Sequence, residues 1–527
     1  MWQKFQKLVH RENSLVGAAG ILVVTMTLSN VFGLLRDHYL ARNIETYNLD
    51  IYYAAFRIPD LIFNILIFGA ISAAFIPVFT SFVSRGDKKI AWRITNSLIS
   101  ISVVILAALA VILYFFMPYL TPLLVPKFEA SRQNQTTQLA RILMLAPIFF
   151  SVSYFLGGVL NSFKRFVAYS FAPIVYNLSI IVGSIYAAPR WGITGVVWFV
   201  VVGSALHMLT QVPTVISLGY KFKPIFDFGH PGVKKIVRLM IPRAIGMGAN
   251  NILLVVYTAI SSALVAGSIA VFNLANNIQT MPTVVFATSF STAVFPILAQ
   301  KASIEDHASF SFYLTRSMRV IIYLLVPSTV IFILLRAQII RLILGSGKFS
   351  WDDTRMAALT LGWFAFSLVA QGLIPLFAKA FYAKHNTKTP TIVSVISIIV
   401  SIAIAYPLAR SMGVAGLALS FSIGSFLNAI LLYFLLYRIS HKVFDWQIII
   451  STLKILLASI VMALTVRESG HLLYNYLDMQ RFWGVLIQAG SAAIIGVIVY
   501  LLITYLLNCQ ELGWAIKRRI NDNGAAK

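Results

Sequence analysis

Five ionisable residues lie inside or at the mouths of long apolar runs: Arg36, Asp37, Asp50, Arg57 and Asp60, all between Ser29 and Phe79. An ionised side chain at membrane depth costs roughly 2.5–3.5 kcal/mol on insertion scales, so it normally faces a wet cavity or a partner. Read as helix, Arg57, Asp60 and Asn64 fall at i, i+3 and i+7 and share one face. Ser29, Gly33 and Arg36, at i, i+4 and i+7, share a face of the preceding helix. Guanidinium grips phosphate bidentately, which makes Arg36 and Arg57 candidate phosphate ligands. Asp37, Asp50 and Asp60 would then orient those arginines or exchange partners with them. A plainer reading stays open beside this one: Arg57 and Asp60 as a structural i, i+3 pair, with Arg36 snorkelling to an interface. On the first reading the two stripes line a cavity for a large anion.

A second polar stripe is uncharged. Asn273, Asn276, Asn277 and Thr280 stand at i, i+3, i+4 and i+7 of one apolar segment. Interhelical hydrogen bonds of ~0.6 kcal/mol each would account for one or two such groups. A full stripe better suits contact with the sugars of a substrate. Arg243, Asn250 and Asn251 on the segment before it extend the same idea. Pro59 and Pro77 are either plain kinks or bending points of a moving helix pair, and His207, a lone histidine in an apolar run, reads as packed.

The elements that must position these residues are membrane helices. Of 527 residues, 59% are hydrophobic and 11% charged, where a soluble domain is about a quarter charged. Apolar runs of about 20 residues give about fourteen transmembrane helices and an all-α integral membrane protein. The runs lie near 14–35, 51–83, 94–120, 137–163, 168–188, 193–217, 239–265, 270–299, 316–345, 356–383, 389–409, 413–437, 448–467 and 483–507. An even count puts both termini on one side. Lys4, Lys7 and Arg11 at one end, and Lys517, Arg518 and Arg519 at the other, mark that side as cytoplasmic. The basic N-terminus runs into the first span without a cleavage site, so it reads as a membrane helix and not a signal peptide.

The chain also repeats. Ser72–Val78 (SAAFIPV) returns as Ser291–Ile297 (STAVFPI), Gly192–Val197 (GITGVV) as Gly413–Ala418 (GVAGLA), and Pro173 as Pro390. Three matches in order at a shift of about 220 residues describe a duplicated bundle. The expected organisation is a six-helix lobe over 1–220, a second over 221–440, and two extra helices with a basic tail over 441–527. With an even number of spans per copy, the lobes relate by a pseudo-two-fold along the membrane normal, with substrate held between halves that rock.

Composition and motifs exclude other classes. The formal charge of +25 comes from cations in short loops, which suits anionic membrane lipids and not nucleic acid. A single cysteine, Cys509, rules out a disulfide framework and a thiolate metal site. Leu344–Ser350 (LGSGKFS) lacks phosphate-loop spacing, and no HExxH or nucleophile-elbow pattern appears, so neither a nucleotide, a cofactor nor enzymatic catalysis is expected.

The residues Ser29, Gly33, Arg36-Asp37, Ala41-Arg42, Asp50, Ala55-Phe56, Pro59, Gly69, Ala70, Ser72, Ala74-Phe75 and Pro77 carry a resemblance. With Ala275, Pro282 and Pro296 in the eighth span, they resemble the lipid II flippase family (MurJ, also called MviN) of the multidrug/oligosaccharidyl-lipid/polysaccharide exporter superfamily. The resemblance implies alternating access in the bacterial inner membrane. It implies a cationic cavity holding the diphosphate and sugars of lipid II, an undecaprenyl-diphosphate-linked glycan, with the prenyl tail along the last two helices. It further implies a place among cell-wall synthesis proteins, and Arg36, Asp37 and Asp50 as binders. The chain departs from that pattern at Asn30, Asn64 and Asn277, where the family usually carries arginine, and at Phe68, where it carries an acid. Arg57 and Arg243 are the guanidinium groups that could compensate. Another polyprenyl-diphosphate glycan, or a small-molecule antiporter of the superfamily, is the alternative cargo.

Overall fold

The computed structural model describes residues 15–68, 75–439, 446–474 and 476–516. Gly69, Ala70, Ser72 and Ala74 of the motif, and the terminal cations Lys4, Lys7, Arg11, Lys517, Arg518 and Arg519, lie outside the described residues. Among those described, every regular element is helical. In an apolar setting this is what the backbone demands, since each N–H and C=O must be satisfied within its own segment.

The first part of the chain forms α1 (Leu15–Asn43), α2 (Thr46–Phe63), α3 (Ile76–Ser84), α4 (Lys88–Leu124), α5 (Ala130–Leu143) and α6 (Ala146–Ser162). It continues through α7 (Phe166–Val182), α8 (Ala188–Leu209), α9 (Val212–Ser217) and α10 (Pro231–Ser261). Then come α11 (Ser268–Pro282), α12 (Ser289–Ser303), α13 (His307–Leu334), α14 (Arg336–Ile343), α15 (Trp351–Phe366) and α16 (Leu368–Ala383). The last are α17 (Lys388–Met412), α18 (Val414–Ile439), α19 (Trp446–Tyr474), α20 (Phe482–Leu506) and α21 (Gln510–Ile516).

Nine helices among the described residues are individually long and apolar enough to cross a membrane, or ten if α15 and α16, bent by 44°, form one span. The expected count of fourteen is therefore not established. One of the nine runs from Phe166 to Ser217, 52 residues, roughly 78 Å at 1.5 Å per residue and more than twice a bilayer core. Gly192 breaks it, with φ 59° and ψ −150°. Neither α1 nor α2 belongs to the nine, and these two carry all five ionisable residues of the motif.

The duplication read from sequence recurs in the backbone. A π turn follows α2 at Asn64–Phe68, and another follows α11 at Thr283–Thr288. Positive φ occurs at Gly86 and again at Glu305, at Lys164 and again at His385, and at Gly192 and again at Gly413. Each pair is separated by about 220 residues, the shift of the sequence repeat.

By contacts the chain falls into two compact units, one of residues 1–273 with 343–353, the other of 274–342 with 354–527. The first is cored by Phe75, Phe79, Leu98, Phe155, Val159 and Ile236 from α3, α4, α6, α10 and the turn before α3. In the second, Leu314, Ile321, Phe377 and Phe381 pack with Ile455 and Met462 of α19. A buried Arg319–Glu511 ion pair, 2.5 Å from Nε to Oε1, ties α21 to α13 there.

Pro77 sits in the first turn of α3, where the missing N–H is an orphan anyway, whereas Pro59 lies inside α2. Pro59 cannot donate to the carbonyl one turn back, and the π turn begins at Asn64 soon after it.

Gly192 and Gly413 (φ 61°, ψ −143°) share a conformation that side chains avoid, at a cost of about 1–3 kcal/mol. A Cβ at either glycine would meet nothing within 4 Å, so the penalty there is purely conformational. Gly192→Ala and Gly413→Ala should each lower the thermal unfolding midpoint in detergent. Gly490→Ala, equally uncrowded but within α20, should hold or raise it. Equal midpoints for all three would contradict the assignment of a glycine-only turn.

Candidate functional site

The ionisable residues of α1 and α2 sort into three bonded groups and one open carboxylate, all in the first unit. Arg36 folds back on its neighbour, with Nε and Nη2 donating to Asp37 Oδ1 at 3.0 and 2.8 Å. Its Nη1 donates to Asn177 Oδ1 on α7 at 3.2 Å, and Asn177 Nδ2 reaches the Ser29 carbonyl at 3.4 Å. The Ser29/Gly33/Arg36 stripe thus meets α7 through one amide. The Arg36 side chain keeps 21% of its surface exposed and Asp37 1%.

Arg57 is bonded quite differently. Its Nε donates to Thr258 Oγ1 on α10 and its Nη2 to Asn273 Oδ1 on α11, both at 2.7 Å. Both acceptors are neutral, and among the described residues Arg57 makes no ion pair. The i, i+3 pairing with Asp60 is not formed. Asn273 is steadied in turn by its own Nδ2 bond to the Ile269 carbonyl, 2.6 Å.

Asp50 faces protein. Its Oδ2 and Oδ1 accept the backbone N–H groups of Gly267 and Ala270 at 2.7 and 2.8 Å, which caps the start of α11 from a distant helix. Arg132 of α5 adds a 3.3 Å ion pair, its guanidinium lying between the Tyr47 and Phe128 rings at 3.9 and 3.8 Å from their centroids. Asp50 therefore positions α11, and with it the Asn273 that holds Arg57.

Asp60 is exposed and forms no ion pair among the described residues. It lines a cavity of about 250 Å³ with Phe56, Phe63, Asn64, Phe150, Tyr154 and Tyr176. Asn64 Nδ2 donates to the Asp60 backbone carbonyl at 2.8 Å and to Asn251 Oδ1 on α10 at 3.2 Å.

The other expected residues are dispersed. Asn30 is half-buried on α1. The side chains of Arg243 and Phe68 lie outside the described residues. Asn276 and Asn277 belong to the second unit. Asn276 Oδ1 accepts from Gln279 Nε2 at 3.0 Å, and Gln279 exchanges amide bonds with Gln371 at 3.2 and 3.0 Å. The asparagine stripe therefore divides between an arginine and a glutamine network. His207 is packed as expected: its Nδ1 lies 2.6 Å from Ser153 Oγ and its ring stacks on Tyr154.

The sequence reading missed Arg132, Asn177, Thr258 and the Gln279–Gln371 pair. Asn177 and Gln279 carried the same signal as Asn273, an amide inside an apolar run. Thr258 carried none, since a hydroxyl in a membrane helix usually bonds its own backbone.

Two helical repeats bearing π turns, with a largely aromatic cavity in the first unit, make a multi-spanning helical membrane fold. A multidrug resistance MATE family transporter of the MOP superfamily, solved inward-facing, has the same fold with a TM-score of 0.67 and 14% identity. That match covers 80% of this chain and 98% of that one. The structure of a lipid II flippase MurJ in an inward closed conformation matches with a TM-score of 0.77 and 24% identity over 92% of this chain and 98% of that one. The family description "Lipid II flippase MurJ" matches residues 45–507, and the chain belongs to that family. Its curated relatives include the probable lipid II flippase MurJ of Rhizobium tropici, 29% identical over 92% of this chain and 93% of that protein. The probable lipid II flippase MurJ of Rickettsia prowazekii is 28% identical over 93% and 97%.

Removing one partner of a buried ion pair costs about 3–5 kcal/mol because the other charge is stranded. Asp50→Ala should destabilise the protein by that order, and Asp50→Asn by less, since an amide oxygen still caps α11. Thermal unfolding of the two variants in detergent checks the ranking. A wild-type midpoint for Asp50→Ala would mean that Arg132 and α11 do not depend on this carboxylate.

Proposed function

We propose that this chain moves lipid II, a polyprenyl-diphosphate-linked glycan, from the inner to the outer leaflet of the bacterial cytoplasmic membrane by alternating access. The observation that carries this reading is membership of the MurJ family over residues 45–507. The site supports it through Arg57. Among the described residues its guanidinium is hydrogen-bonded by a hydroxyl and an amide, neither of which neutralises it, and an anion is a natural further partner. Arg36 is partly exposed, so a phosphate can compete with Asp37 for its guanidinium. Protein groups fix both arginines before cargo arrives, which reduces the ordering cost of binding.

In this reading the termini are cytoplasmic, and the membrane potential, worth ~2.3 kcal/mol per charge per 100 mV, drives the cycle. Basic loop residues such as Lys88, Lys89, Lys221 and Lys223 meet anionic headgroups. Proteins of cell-wall synthesis receive the exported precursor. Asn30, Asn64 and Asn277, at positions where the family usually carries arginine, favour a second reading in which the glycan differs from that of lipid II.

Depleting the protein while following which leaflet holds lipid II tests the assignment, with accumulation in the inner leaflet expected. Loss of a charge-assisted contact of about 1.5–3 kcal/mol predicts cargo affinity on the order of 10–100-fold weaker for Arg57→Ala. Arg57→Lys keeps the charge without the fork and should fall between. Unimpaired externalisation in both Arg36→Ala and Arg57→Ala would remove these arginines from the site.

A further inference from the structure

We infer that the cavity of the first unit receives an organic ammonium group, held by the Asp60 carboxylate among the rings of Phe56, Phe63, Phe150, Tyr154 and Tyr176. Among the described residues, Asp60 is the one charged residue lining that space. The two nearby arginines of the motif are engaged elsewhere, Arg36 with Asp37 and Asn177, Arg57 with Thr258 and Asn273. The cavity therefore presents a carboxylate that has no contact-distance ion-pair partner among the described residues.

Three ligand classes can be weighed against that wall. A phosphate would meet the Asp60 carboxylate, with no Lys or Arg among the described lining residues to offset the repulsion. A bare metal ion needs several oxygen ligands, and among the described residues no three His, Cys, Asp or Glu side chains are grouped to hold one. A neutral sugar would stack on the rings but leave the carboxylate without a counter-charge. An organic ammonium satisfies both features, pairing with Asp60 while its alkyl substituents lie on aromatic faces.

The rings are braced for this role. Phe150 lies 5.6 Å from Phe63 and 5.2 Å from Tyr176 between centroids, and Phe63 lies 5.2 Å from Tyr154. At about 250 Å³ the cavity has room for a small substituted ammonium. The repeat strengthens the case. In the register that pairs Pro77 with Pro296, Arg57 and Asp60 correspond to Asn276 and Gln279. That amide pair closes on itself at 3.0 Å, whereas Asp60 is left open to the cavity.

This inference deepens the reading above and rests on it only for the source of the ammonium, which is either a group on the lipid-linked cargo or a separate organic cation. The test is isothermal titration of the purified full chain in detergent with tetraethylammonium, N-acetylglucosamine and inorganic diphosphate. Saturable tetraethylammonium binding is expected, weakened at least tenfold by Asp60→Asn, restored to within a few-fold by Asp60→Glu, and weakened several-fold by Phe150→Leu. Unchanged thermal midpoints qualify the variants, and the glutamate variant serves where the asparagine variant does not fold. Displacement of tetraethylammonium by an amine-bearing lipid-linked precursor but not by its N-acetylated form supports the proposal and assigns the ammonium to cargo. Displacement by neither supports it and assigns the site to a separate cation. Absent binding, binding indifferent to Asp60, or Asp60-dependent binding of the sugar or diphosphate alone would overturn it. The leaflet assay reports separately: Asp60-dependent ammonium binding together with normal leaflet distribution on depletion would refute the flippase reading and leave the cation site standing.

Discussion

A charge buried among apolar helices must be answered, and the answers given to five charges shape the first unit. Coulomb attraction strengthens as the dielectric falls, but so does the penalty for an unpaired ion. Asp50 is answered by two backbone N–H groups and Arg132, Asp37 by Arg36, and Arg57 by two neutral oxygens. Only Asp60 opens onto a cavity without an ion-pair partner among the described residues. The first two arrangements are nearly neutral and hold helices in place. The last two leave Arg57 and Asp60 without a contact-distance ion-pair partner among the described residues.

The chain of support runs from α2 outward. Asp50 fixes the start of α11 through Gly267 and Ala270, and Gly267, at φ 92°, gives the chain a turn there that few other residues adopt. Within the next turn of that helix Asn273 meets Arg57. A residue that the sequence places among the substrate binders thus acts on the site by positioning another helix. The distinction matters for reading variants: loss of Asp50 disturbs both stability and the Arg57 geometry, and activity alone cannot separate the two.

The sequence made legible whatever depends on local spacing. Apolar runs gave the helices, i, i+3 and i+7 offsets gave the polar faces, and matched strings gave the repeat that the π turns and positive-φ residues later marked. It did not reveal partners. Arg57 meets Thr258 and Asn273 across 201 and 216 positions, and Arg36 meets Asn177 across 141. No local pattern encodes such pairings, so the choice between an Arg57–Asp60 pair and a free guanidinium could not be made from spacing. The break between α15 and α16 was equally hidden: the apolar run passes through Ser367 without interruption, yet the helices bend there by 44°. Gly192 and Gly413 were visible as repeat members but not as the turns they are.

Duplication followed by divergence explains why the two copies differ in their polar networks. In both, the second long helix runs into a π turn, a widened turn that proteins often retain where it serves a site. In the second copy the amides Asn276 and Gln279 bond each other and Gln371, so that face satisfies itself. In the first copy the corresponding charges are drawn apart, Arg57 toward α10 and α11 and Asp60 toward the aromatic cavity. An i, i+3 amide pair closes cheaply because neither partner has a charge to offer a ligand. An arginine and an aspartate at the same spacing would cancel if they closed. The hydroxyl of Thr258 and the amide of Asn273 prevent that closure without neutralising the guanidinium. The asymmetry between the copies therefore rests less on where charges were introduced than on the neutral acceptors that keep them apart.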